Sequence, residues 1–154
     1  MLDPATVQIL FADLQPPIVA RSKTNPPQNL TCAAFVLAQC ARRLGLPVHH
    51  SVVPEGGAAP EVLPDLAKET EGAPQLARMT ADPFLDPQTR EAINAVKRPV
   101  LVIAGFATEA VVFHAALFPR WRVVTKCRCP STPAAECLRA RRTRPCASSR
   151  QREA

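Results

Sequence analysis

The sequence predicts an α/β fold: a Rossmann-like, three-layer α/β/α architecture with a mainly parallel sheet. Three observations carry this expectation. Val7-Gln-Ile-Leu-Phe-Ala12 is an apolar run of the length and composition that fills a buried central strand. Pro99-Val-Leu-Val-Ile-Ala-Gly105 reads as a second buried strand closed by a tight glycine turn, and a helical run to Leu117 follows it. Between them strand-like and helix-like runs alternate, which implies right-handed βαβ crossovers and a sheet covered on both faces.

Taken in order, the first strand ends at Asp13. Leu14 to Pro27 then holds four prolines and is expected to be an irregular loop beside the strand's carboxyl end. Asn29 to Leu44 repeats apolar residues at helical spacing, with Cys32, Phe35, Val36, Cys40 and Leu44 on or near one face. Gly45 suits the helix C-terminus. Val48–Val53 reads as a strand, Pro54 to Pro60 as a turn, Glu61 to Thr70 as a short helix and Gln75-Leu-Ala-Arg78 as a further strand. Asp86-Pro87 is a strong helix start, with aspartate as N-cap and proline at the first helical position. That helix is expected to run to about Val96.

Length and composition permit one domain with a real core: 154 residues, 47% hydrophobic and 21% charged. No apolar run approaches the ~20 residues of a membrane span. Met1-Leu-Asp-Pro is not a basic–apolar leader, so the expected compartment is the cytoplasm. The net charge of +6 misleads if read over the whole chain. Residues 119–154 carry ten Lys/Arg against two Glu, a net of +8, which leaves −2 for residues 1–118. Four of the six cysteines, Cys127, Cys129, Cys137 and Cys146, also lie in that tail.

Asp13-Leu-Gln15 after an apolar strand, together with Gly105-Phe-Ala-Thr108-Glu-Ala-Val111-Val, resembles the isochorismatase-like (cysteine hydrolase) family. The resemblance covers roughly residues 5–118 and implies an α/β hydrolase. Its members usually carry an Asp–Lys–Cys triad and a cis peptide near an oxyanion hole. By this comparison Asp13 is the family aspartate, Arg78 stands where the lysine is expected, and Val111 stands where the cysteine is expected. Phe106–Ala107 would be the cis bond, the backbone N–H groups of Ala107 and Val111 the oxyanion donors, and Gln15 and Thr108 substrate contacts. Isochorismatases proper also lack the cysteine, and their aspartate protonates a vinyl ether, so loss of the thiol does not by itself exclude catalysis.

Each residue also has a plainer reading. Asp13 could cap the following loop, Arg78 could be a surface arginine at a strand end, and Val111 could be a core valine. Arg78 cannot share a proton as lysine does, because guanidinium stays charged; it could orient Asp13 or clamp a carboxylate. Cys32 and Cys40 are expected in the core. His49 and His50 point to opposite sides of a strand and cannot jointly hold one metal. His114 is read as a surface or interface histidine. Lys23 is the one lysine near the loop, and no role rests on it. No metal and no cofactor are expected. The expected partners are a small-molecule substrate or ligand and further copies of the chain, with no membrane.

The expected boundaries are a hydrolase-like domain at 1–118, incomplete at its C-terminus, and a basic Arg/Pro/Cys-rich tail at 119–154. In the tail the apolar periodicity stops. Starting each codon one base earlier from Cys127 permits V-P-V-P-V-D-A-C-G-G, which alternates like a strand and resembles the family's next segment. A one-base shift near residues 118–122, leaving a poorly ordered tail, is therefore the favoured account, ahead of a basic tail whose arginines neutralise phosphates and bind nucleic acid. Its C-x-C-x7-C-x8-C spacing fits no common zinc site. A sheet ending at the Pro99–Ala104 strand would expose an edge, with poor solubility expected unless Trp121-Arg-Val-Val-Thr supplies a strand.

Overall fold

The computed structural model describes residues 2–54, 60–106, 111–114 and 122–125. A single 3-10 turn, Pro4–Thr6, leads into β1 (Val7–Ala12). The elements that follow are α1 (Pro16–Val19), α2 (Pro27–Leu44), β2 (Val48–Val52), α3 (Pro64–Glu69), β3 (Gln75–Ala77), α4 (Pro87–Ala95), β4 (Val100–Gly105) and β5 (Arg122–Thr125). All four strand pairings are parallel, and the strand order is β3-β2-β1-β4-β5. Residues 111–114 are helical.

Side-chain alternation along β1 divides the core between two layers. Ile9 and Phe11 face α2 and α3, packing with Leu14, Val19, Ala34, Ala38, Ala41, Leu63 and Leu66. Leu10 faces the other way and joins Phe84, Ile93 of α4, Leu101, Ile103 and Val112. Every β1 residue is buried, as a strand covered by helices on both faces requires. Gln8 is the one polar member, and its amide nitrogen donates to the carbonyls of Ile93 and Arg98 at 3.2 and 2.9 Å. This ties β1 to both ends of the α4–β4 connection.

The helix ends follow local chemistry. Asp86 accepts from the Thr89 N–H at 2.7 Å and Pro87 opens α4. Gly45 closes α2 with φ of 61°, a left-handed conformation that suits glycine. The Pro-rich loop contains a short helix that its prolines had argued against: Pro16 and Pro17 occupy the first turn of α1, where a missing N–H costs nothing. The third helix starts at Pro64 instead of Glu61 for the same reason, since proline sets its first turn.

Two further expectations change. The buried stripe of α2 is Ala34, Ala38 and Ala41, while Cys32 and Cys40 are exposed free thiols. The helix has two apolar arcs, and the alanine arc lets the backbone approach the sheet closely. The sheet also continues past residue 118: β5 pairs with β4 in parallel, Val100 opposite Arg122 through Ile103 opposite Thr125. The expected exception for Trp121–Thr125 is thus what the structure shows for residues 122–125, and β4 is not an edge. The tail cysteines and the rest of residues 126–154 lie outside the described residues. No described helix is long and apolar enough to cross a membrane.

At their carboxyl ends β1 and β4 leave no room for a side chain at Gly105. A Cβ built on Gly105 would lie 2.6 Å from the carbonyl oxygen of its register neighbour Ala12. Gly105→Ala should therefore destabilise the protein by about 1–3 kcal/mol, read as a lower urea midpoint at unchanged slope.

Candidate functional site

In a doubly wound sheet, ligands bind outside the carboxyl ends of the strands where the strand order reverses. Here that point lies between β1 and β4, bounded by Asp13 and Phe106. The Phe106 N–H donates to the Ala12 carbonyl at 3.1 Å, and the Asp13 N–H to that of Ser51 at 3.0 Å. Three strand ends are thereby stitched around Asp13. Asp13 itself takes φ of 57°, a left-handed conformation in which a side chain other than glycine's costs about 1–3 kcal/mol. The turn aims its carboxylate back across the sheet.

Arg78 meets it there. This residue follows β3, at the far side of β2 from β1, so its side chain must cross about 10 Å of sheet. Its Nη2 donates to both carboxylate oxygens of Asp13 at 2.7 Å, and its Nη1 to the Thr80 carbonyl at 3.1 Å. The Arg78 side chain is 1% exposed. Its Nε–H has no partner among the described residues. Burial pushes the Asp13 carboxyl above its ordinary value, and the Arg78 charge and hydrogen bond pull it partly back. The pair therefore places an acid of raised pKa beside a permanent cation.

The other expected residues divide. Gln15 is buried, and both ends of its amide are engaged by one residue: Nε2 donates to the Val53 carbonyl at 2.9 Å, and Oε1 accepts the Val53 N–H at 2.8 Å. It clamps the loop after β1 to the end of β2. Val111 is 3% exposed, and its neighbour Val112 packs against the α4 layer. Ala107 and Thr108, and hence the Phe106–Ala107 peptide and the oxyanion donor at Ala107, lie outside the described residues.

His49 and His50 are buried on opposite faces of β2, as alternation requires. His50 stacks on Phe11 with ring centroids 5.6 Å apart. The Thr70 hydroxyl donates to the Leu66 carbonyl at 2.7 Å, so it accepts from His50 Nε2 at 2.8 Å. That bond assigns the proton to Nε2 and leaves Nδ1 as an acceptor. The composition of β2 did not signal this role, because only the fold brings Thr70 over the strand.

Burial, and secondarily the charge of His49, lower the His50 pKa to about 4 from 6.5. A depressed histidine supports folding above pH 6.5 and loses that support as pH falls towards 4. Stability should drop by about 3 kcal/mol over this window, and His50→Phe should flatten the drop in urea titrations. Arg78→Ala should cost about 3–5 kcal/mol at neutral pH by stranding the Asp13 carboxylate. That deficit should shrink in acid, where the carboxyl binds a proton.

No family profile and no curated protein matches the chain. Solved structures do match. The octameric YcaC hydrolase of unknown specificity from Escherichia coli superposes with a TM-score of 0.73 at 23% identity, over 80% of this chain and 63% of that one. YcaC from Pseudomonas aeruginosa gives 0.74 at 26% identity over the same shares. Nicotinamidase PncA from Bacillus subtilis gives 0.64 at 15%, over 78% of this chain and 83% of that one. The chain thus spans 63% of the length of either YcaC protein. With its parallel sheet and both helical layers in place, the described domain has the isochorismatase-like hydrolase fold.

Proposed function

We propose that the protein is a thiol-less isochorismatase-like hydrolase, with Asp13 as its proton-transferring group and Arg78 as the fixed counter-ion. A small carboxylated molecule would bind between the carboxyl ends of β1 and β4. The observation that carries this reading is the buried Asp13–Arg78 pair, with Asp13 raised by burial, at the point where the strand order reverses. Val111 offers only methyl groups, so amide hydrolysis through a thioester is excluded at this position. What remains is acid-assisted hydrolysis: the Asp13 carboxyl gives its proton to the substrate, at the methylene carbon of a vinyl ether or the leaving oxygen of an ester, water adds to the activated carbon and returns a proton to Asp13, and the C–O bond to the leaving group breaks. Thr108 and the N–H groups of Ala107 and Val111 complete the proposed site.

The valine favours a second reading, a non-catalytic ligand-binding subunit of the same fold. In both readings the chain is a homo-oligomer, as the octameric state of the E. coli YcaC protein suggests, and its proposed compartment is the cytoplasm. Residues 119–154 are read as the product of a shifted frame, which sequencing the coding DNA from Phe113 onwards tests.

A panel of small carboxylated esters and vinyl ethers separates the two functional readings. If the protein is an enzyme, Asp13→Asn should lower turnover per folded molecule by roughly 10²-fold or more, with folding checked by circular dichroism because Arg78 then loses its counter-charge. Turnover that is equal in both proteins removes Asp13 from the chemistry. Ligand-induced thermal stabilisation without turnover supports the binding subunit.

A further inference from the structure

We propose that the exposed face of α2 is a self-association surface, on which two copies of this chain lay their α2 helices antiparallel about a two-fold axis beside Val36. The proposal rests on the homo-oligomer reading above and assigns its surface. α2 has 18 residues and no Asp or Glu. Its outward side, which on a surface helix ordinarily carries charge, presents Cys32, Ala33, Val36 and Cys40 to solvent. At 3.6 residues per turn, Cys32 and Cys40 lie about one turn either side of Val36. Val36 is 51% exposed and Leu44, at the helix end, 56%. Small side chains along such a face let two helices approach to about 8–10 Å.

The two ends of the helix say what covers it. At its N-terminal end, Pro27, Gln28, Thr31, Cys32, Phe35 and Asp65 line a cleft of about 530 Å³. At its C-terminal end stand the exposed Leu44 and Arg43. Asp65 is exposed too, and neither it nor Arg43 has an ion-pair partner among the described residues. With Val36 on the axis, antiparallel packing sets Cys32 opposite the partner's Cys40 and Gln28 opposite the partner's Leu44. Arg43, which leans to the cleft's side of the helix, then comes to the partner's Asp65. A two-fold axis makes each contact twice. Parallel packing would instead set arginine against arginine and aspartate against aspartate. A membrane surface is disfavoured, since lipid-binding helices array several cations along their polar face.

The test uses the full-length chain with Cys127, Cys129, Cys137 and Cys146 replaced by serine, and a short bismaleimide cross-linker. A covalent dimer is expected. Cys32→Ser or Cys40→Ser alone should abolish it, and mixing those two variants should restore it, because each then supplies the cysteine the other lacks. Val36→Arg should raise the dissociation constant roughly tenfold or more in sedimentation velocity, with unchanged circular dichroism. Should that variant fail to fold, the mixing experiment decides alone. Oligomers that ignore Val36→Arg and give no cross-link overturn this surface while self-association stands. A monomer at every concentration overturns both.

Discussion

A carboxylate and a guanidinium held out of water at 2.7 Å make the strongest demand in this molecule. Neither charge is tolerable there alone, since removing an ion from water costs several kcal/mol even after the surroundings relax. The two residues start 65 positions apart, just past the ends of strands separated by a third. The order β3-β2-β1 brings them within one arginine's reach. The left-handed turn at Asp13 points the carboxylate across the sheet, and the Thr80 carbonyl fixes the guanidinium from the other side.

The surrounding bonds can be understood as support for that pair. The Arg78 N–H donates to the Val52 carbonyl at 2.9 Å, the Asp13 N–H to that of Ser51, and the Leu63 N–H to that of Leu14. Gln15 closes the set by taking both backbone groups of Val53. Each bond joins the carboxyl end of β1 or β3, or the loop beside it, to a neighbouring segment. Gly105 then brings β4 against Ala12 without a side chain between them. The result is a hydrogen-bonded rim around an acid of raised pKa with a fixed counter-ion.

Much of the fold was legible in the chain itself. The apolar runs at Val7–Ala12 and Val100–Gly105, the Asp86-Pro87 helix start and Gly45 at the end of α2 all act through local backbone chemistry, and each predicted its element closely. α2 shows where periodicity runs out. Its alanine and cysteine arcs are both apolar, and a wheel of the sequence cannot say which one meets the sheet. The structure buries the alanines, because small side chains let the helix axis approach β1 and β2.

By itself, then, the sequence determined the alternation of elements, the position of Asp13 at a strand end and the absence of a thiol at Val111. Those properties depend on residue identity and short-range spacing. Only the tertiary structure decided that Arg78 reaches Asp13, that Gln15 grips Val53, that His50 pairs with Thr70 and that β5 continues the sheet. Each of these is a meeting of segments distant in sequence, settled by strand order and by the requirement that buried polar groups find partners.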